Sequence, residues 1–361
     1  MKRLQHHHDS ASATSDNTGS MQGFDAEFTD IVDYILRITY RIWEGKQIGL
    51  CYDYYSDDCP VYTLGGYVQG SEQVVQNTLN TLAAFPDRTL AADNIIWGGN
   101  ENDGFHTSHL INTKMTNLGD SEFGLATGKQ GEIKVIAHCV VKDNKIIEEW
   151  LVRDNYLLAQ QLGFEPMMLA KKFAQLPPEE RFSKWRDEEL TRVASTSHIN
   201  RLASPAEQDS EAMILCALQN IWNARMLGDV FQVYSHDAQL NASASRELKG
   251  HDEIVQFYTS FLGAFSELRV SFDYSCMQAS QDSGDDVAVR WTMAGKHSGR
   301  SMFGEPTNAP ILVIGESHYR VVDGQIMNEC TVFDKLAVMT QIERVRRLQA
   351  IEINSATSEA Y

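Results

Sequence analysis

The sequence predicts an α+β fold built from two tandem copies of one domain, and two observations carry that prediction. Residues recur at a fixed offset, and within each copy helical periodicity gives way to four β-type segments. Ile42-Trp43 returns as Ile221-Trp222, and Tyr55-Ser56-Asp57-Asp58 as Tyr234-Ser235-His236-Asp237, both 179 residues later. From Gly70, which matches Gly250, the offset is 180. Val74-Val75-Gln76 then pairs with Ile254-Val255-Gln256, Ala84-Phe85 with Ala264-Phe265, and Gly119, Phe123, Gly124 and Thr127 with Gly299, Phe303, Gly304 and Thr307. His138 matches His318, Glu149 matches Glu329 and Asp154 matches Asp334. The copies span residues 24–166 and 208–348.

Each copy opens with an amphipathic helix, marked by Phe28, Ile31, Val32, Ile35 and Ile42 in the first and by Ile214, Leu218, Ile221 and Trp222 in the second. A shorter helix leads to the Tyr-Ser-x-Asp corner and a brief strand. A third helix starts after Gly70 or Gly250, where Glu72 or Asp252 opposes the positive helix end. Strands follow at 88–98, 104–116, 131–142 and 145–154, with counterparts 180 residues on. Asp143-Asn144 and Asp323-Gly324 read as tight hairpin turns between the last two. A closing helix through Leu157, Leu158 and Leu162 stops at Gly163, a C-cap residue. Helices followed by an antiparallel meander place the helices on one face of a curved sheet.

The flanks read differently. Residues 1–23 carry His6-His7-His8 and a polar run without hydrophobic period, which predicts a disordered arm or tag lacking the apolar core of a signal peptide. Residues 167–207 read as a partly helical linker whose helix, through Phe182, Trp185 and Leu190, docks on a domain; 349–361 read as a C-terminal tail. The 361 residues hold 49 Asp and Glu against 31 Lys and Arg, a net charge of -18 that phosphate backbones repel, so no nucleic-acid partner is expected. No apolar run approaches the roughly 18 residues of a membrane helix, so no membrane partner is expected either. Six scattered cysteines without a CxxC pair suit a reducing compartment, with the cytoplasm as the expectation. Walker, Rossmann and nucleophile-elbow patterns are missing, which leaves ATP, NAD and serine-hydrolase chemistry without support.

The stretch Lys145-Ile146-Ile147-Glu148-Glu149-Trp150-Leu151-Val152-Arg153-Asp154, with Gln160-Gln161-Leu162-Gly163 behind it, resembles the C-terminal signature of SnoaL-like polyketide cyclases. Lys296-His297-Ser298-Gly299 running to Phe303-Gly304-Glu305-Pro306-Thr307 resembles the glycine-rich hairpin of the same family. The resemblance covers both copies. It implies the cone-shaped α+β barrel of the superfamily of nuclear transport factor 2 and ketosteroid isomerase. It also implies a cofactor-free and metal-free reaction, in which an Asp at the position of Asp154 removes a proton flanked by carbonyls and later protonates the alkoxide of an aldol ring closure. A His on the preceding strand, near His138, belongs to the same pattern. The second copy keeps both, as Asp334 and His318. The copies depart from the pattern in opposite ways: Asn117 and Ala126 stand where the second has His297 and Pro306, and Cys330 and Phe333 stand where the first has Trp150 and Arg153.

Read as residues, strand alternation puts Ile146, Glu148, Trp150, Val152 and Asp154 on one face. A carboxylate beside a Trp and aliphatics acquires a raised pKa, suited to a base near neutral pH. The residues alone favour an N-cap role, because Asp154 immediately precedes a helix; the resemblance favours the base. His138 and His318 are candidates for polarising a substrate carbonyl, or are core histidines. Trp150, Glu148, His109, Cys330 and His297 are candidate pocket residues. His106 and His109 point to opposite faces of one strand, which prevents chelation of one metal. Glu149 and Glu329 fall on the face opposite the Asp, which argues against a paired-carboxylate site. The expected enzyme is a cyclase, isomerase or dehydratase acting on a small, hydrophobic, carbonyl-rich ligand, with the first copy active because Trp150 can desolvate Asp154. The rival is a non-catalytic pair that binds a small ligand or a protein. The tandem is expected to form a sheet-to-sheet pseudo-dimer within one chain, or a homodimer.

Overall fold

A computed structural model describes residues 21–196, 200–203, 209–243, 247–279, 284–300 and 302–358. The N-terminal arm before Met21 lies outside them. In the first copy α1 (Ile31–Thr39) is capped by Asp30, whose carboxylate accepts from Asp33 N at 2.8 Å. Its stripe of Ile31, Tyr34, Ile35 and Ile38 is buried, and the helix runs on into a π-turn at Tyr40–Glu44. Then come α2 (Cys51–Tyr54), a hairpin of β1 (Pro60–Thr63) and β2 (Gly66–Gln69), and α3 (Ser71–Ala84). Gly70 ahead of α3 has φ 86°, and a Cβ there would lie 2.3 Å from Asp57 O, so the backbone approach admits glycine alone. The meander is β3 (Thr89–Asn100), β4 (Gly104–Thr116), β5 (Gln130–Lys142) and β6 (Lys145–Arg153), closed by α4 (Asn155–Gln161). Asp143 and Asn144 both take positive φ, as the hairpin reading requires.

The segment between copies holds α5 (Pro166–Phe173) and α6 (Glu180–Thr196). The second copy repeats the order with α7 (Ser210–Leu218), a π-turn at Gln219–Asn223, α8 (Val230–Val233), β7 (Tyr234–Ala242), β8 (Leu248–Lys249), α9 (Gly250–Ala264), β9 (Phe265–Gln278), β10 (Asp285–His297), β11 (Pro310–Val322), β12 (Gln325–Phe333) and α10 (Lys335–Ser358). The two sheets have the same order, β2-β1-β6-β5-β4-β3 and β8-β7-β12-β11-β10-β9. Each is antiparallel except where its first long-range partner joins in parallel, β1 on β6 and β7 on β12. The C-terminal tail expected from 349 instead continues α10, which packs on α5. In the linker, α6 packs on β9, β10 and β11, and its Trp185 stacks on Tyr62, which stacks in turn on Trp150, with centroids 5.3 and 5.2 Å apart.

The concave face of each sheet turns toward its own helices, and the outer faces of the two sheets meet. Gly98 on β3 allows the close approach: a Cβ there would lie 2.8 Å from the Tyr274 hydroxyl of β9. Among the described residues no helix is long and apolar enough to cross a membrane.

Candidate active site

The first cone is hollow and the second is packed. At matched positions the first copy has Thr78, Thr81, Cys139 and Arg153 where the second has Tyr258, Phe261, Tyr319 and Phe333. In the second cone those four aromatics are buried, with Phe261 against Phe333 at 5.6 Å and Tyr258 against Trp222 at 4.8 Å between ring centroids. With threonines at two of these positions, the first holds a cavity of about 730 Å³, walled by Tyr55, Thr78, Thr81, Glu149, Leu151 and Arg153. Its wall is completed from the second domain by Ile314 and Asp334.

Four ionisable groups give this cavity its chemistry. Glu149 is 6% exposed, and its Oε2 accepts from the Tyr55 hydroxyl at 3.0 Å. Burial raises its pKa and outweighs the Tyr55 hydrogen bond and the Arg153 charge. Asp334 accepts from Ala337 N at 3.0 Å and from Asn155 Nδ2, across the domain boundary, at 2.6 Å. Burial, with smaller contributions from Glu122 and Asp154, still pushes its carboxyl up to about 7. Arg88 is 8% exposed and donates through Nε to Thr113 Oγ1 at 3.1 Å. Burial and the Arg153 charge push it down to about 9, so it stays cationic at neutral pH. Arg153 lines the same wall with a buried Nε that has no hydrogen-bond partner among the described residues.

Of the residues singled out from the sequence, Asp334 lines this cavity and the others lie elsewhere, and one β-bulge explains most of it. The β5–β6 register shifts between Val140 and Val141, so Val141 pairs with Ile146 while Val140 pairs with Glu148. Alternation therefore breaks at Ile147. Ile146 belongs to the core of the first cone, but Glu148, Trp150 and Val152 do not share its face. Glu149, set aside on parity, is the carboxyl that enters the cone. Trp150 lies on the outer face under Arg290 of the second domain, whose Cζ is 3.4 Å from the ring centroid. Glu148, half-buried on that face, is raised by burial and feels Arg290. Asp154 caps α4, accepting from Leu157 N at 3.0 Å, and the cavity wall is formed by its neighbours Arg153 and Asn155.

His138 also faces outward. Its Nδ1 is 2.9 Å from Glu316 Oε1 and its Nε2 is 3.1 Å from His106 Nδ1, which corrects the expectation that it faces the cone. His106 stacks on Tyr274 with ring centroids 3.9 Å apart. His318 Nε2 lies 2.7 Å from Ser108 Oγ, and burial pushes its pKa down to about 4. His138 and His318 thus each pair with a residue of the opposite sheet, Glu316 and Ser108, in a buried polar seam. Cys330, opposite His318 in register, is on the same face, with its thiol pushed up to about 12 by burial. His297 is fully buried near Phe265 in the packed cone, 3.2 Å from Thr307 Oγ1. His109 is 2% exposed on the concave face, and burial pushes it down to about 3.

A model of the SnoaL-like polyketide cyclase family matches residues 34–162 and again 212–342. The chain belongs to the SnoaL-like polyketide cyclase family. No curated protein matches it. Solved structures similar to it include a protein from Jannaschia sp. CCS1 assigned as a SnoaL-like polyketide cyclase, at 17% identity, covering 40% of this chain and 98% of that one with TM-score 0.32. IdmH from Streptomyces antibioticus, assigned as a polyketide cyclase, is 20% identical over 36% of this chain and 94% of its own, with TM-score 0.31. A protein from Catenulispora acidiphila with a ketosteroid isomerase-like fold, solved with trimethylamine, is 14% identical over 38% and 93%, with TM-score 0.30.

In this SnoaL-like tandem the second cone retains the Glu149–Tyr55 pair in a closed form. Glu329 accepts from Tyr234 and Thr331 at 2.5 Å each, with Tyr258 and Tyr319 hydroxyls at 3.5 Å. Its hydrogen-bonding capacity is consumed internally. His109 offers a check on burial in the hollow cone. Its pKa is 6.5 when exposed and about 3 in the fold, so unfolding takes up a proton at pH 5 and the wild type loses stability as pH falls below 6.5. Val289 occupies the matched position, and a His109→Val variant should gain about 2 kcal/mol relative to wild type between pH 7.5 and 5, read from urea unfolding at both values. A pH-independent difference would contradict this burial.

Proposed function

We propose that the first cone is the active site of a cofactor-free enzyme that moves protons on a small, apolar, carbonyl-rich molecule. The observation that carries this reading is the pair of buried carboxyls, Glu149 and Asp334, on the wall of one cavity. With its carboxyl pushed up to about 7, Asp334 is partly ionised at neutral pH yet basic enough to take a proton from a carbon flanked by carbonyls. Glu149, whose carboxyl burial raises, serves as the acid that donates to the oxygen on which negative charge develops, and the Tyr55 hydroxyl holds it in place. In an aldol closure the carbanion carbon bonds to a second carbonyl carbon, and the resulting alkoxide takes up the proton. Isomerisation and dehydration use the same base. Asp154, a helix cap, positions rather than reacts in this scheme. The sheet-to-sheet seam supports reading the tandem as an intramolecular pseudo-dimer in which the packed copy supplies Asp334 to the hollow one.

The binder alternative draws its support from the packed second cone, which offers no comparable space. The two readings separate on exchange of the flanked C–H of methyl 3-oxooctanoate in D2O, followed by NMR. The enzyme reading requires catalysed exchange, and Glu149→Gln, which keeps the hydrogen-bonded shape, should slow it about tenfold to a hundredfold. Binding of the ester without catalysed exchange would favour the binder.

A further inference from the structure

We propose that Arg88 and Arg153 form an anion-binding subsite in the first cone that takes a carboxylate carried by the ligand; the inference rests on reading that cone as the ligand site. Two guanidinium groups line one cavity, and the charge of Arg153 acts on Arg88. Like charges brought together away from water repel, and buried arginines are ordinarily paired. Here the charge acting on Arg88 is that of Arg153, and Arg88 Nε donates to the neutral Thr113, which is itself fixed by donating to Thr89 O at 2.8 Å. Arg153 has a buried Nε donor without a partner, and so does the hydroxyl of Ser121 on the same wall.

The neighbouring acids do not close the account. Burial raises the Glu149 and Glu122 carboxyls while the Arg153 charge pulls both down, and Asp120, Glu179 and Asp334 share the lining. With those acids on the same wall, a singly charged carboxylate meets less repulsion than a phosphate dianion would. The planar fork of each guanidinium also matches a carboxylate. The second copy provides an internal comparison: Leu268 and Phe333 stand at the matched positions, so both cations are missing where the cavity is filled. Charge and space go together.

Calorimetric titration of the full chain with octanoate and with methyl octanoate at pH 7.5 tests this directly. Octanoate should bind at least about tenfold tighter than the ester, and added NaCl should weaken the acid alone. Arg153→Gln, at a half-buried position, and Arg88→Met should each abolish the preference while leaving ester affinity in place, and Arg88→Lys should restore part of it. Equal or tighter binding of the ester, no binding of either, or a preference surviving in both variants would overturn the subsite. Octyl phosphate binding tighter than octanoate would overturn the carboxylate assignment. Because the titration reads no turnover, an acid preference alongside absent C–H exchange would fail the catalytic reading alone, and catalysed exchange without the preference would fail the subsite alone.

Discussion

Asp334→Asn should lower catalysed exchange of the β-keto ester by a factor on the order of a hundred or more, without destabilising the protein. Asparagine keeps the shape and the capping oxygen that accepts from Ala337 N, and it removes the basicity. The stability side has a sign that a structural cap would not share. The folded pKa is about 7 against an ordinary 3.8, so the wild type carries its full stability below the unfolded value and loses it as pH rises through about 7. The variant escapes that loss. Its melting temperature should equal or exceed that of wild type at pH 8, and the advantage should shrink toward pH 4. Asp154→Asn, by contrast, should leave exchange within a few-fold of wild type, because its carboxylate faces the first turn of α4. Loss of exchange in Asp154→Asn with Asp334→Asn unaffected would return the chemistry to the residue that the sequence favours.

Glu316→Ala should cost about 3–5 kcal/mol, the penalty for breaking a buried charged contact from one side. Glu316 is 1% exposed and sits between His138 and Ser108, with Arg290 near enough to respond to its charge. Burial alone would raise this carboxyl; the charge and hydrogen bond of His138, joined by Ser108 and His318, outweigh it and hold the pKa below its ordinary value. Deleting it strands His138 and leaves Arg290, whose Nε already lacks a partner, without its nearest counter-charge on β11. Urea denaturation reads the loss. A change under 1 kcal/mol would mean that the seam between the sheets contributes little to stability.

The architecture was legible because repetition and periodicity are properties of the chain. A constant offset found both copies, and the helix–meander order and the Asp143-Asn144 turn matched the observed elements within a few residues. The hairpin of β1 and β2 and the long run of α10 were not read, because a two-residue turn at Leu64-Gly65 and a helix docked on α5 depend on what they pack against. The site was legible only in part. Strict alternation across β6 assigned faces one residue out of step, since a bulge at Ile147 carries no compositional mark. Which face looks into the cone and which meets the other domain is a tertiary fact, and it moved His138, Trp150 and Glu148 to the seam. A signal did exist. Thr78, Thr81, Cys139 and Arg153 against Tyr258, Phe261, Tyr319 and Phe333 encode one open and one filled cone, and reading the copies for their differences as well as their matches would have found the cavity.

A crystal structure with methyl 3-oxooctanoate bound tests the central claim most directly. The account predicts the ester inside the first cone, with its flanked carbon within reach of the Asp334 carboxyl and a carbonyl oxygen toward Glu149. Ester bound in the second cone, in the seam beside His138, or in the first cone with Asp334 turned away from it would contradict the account.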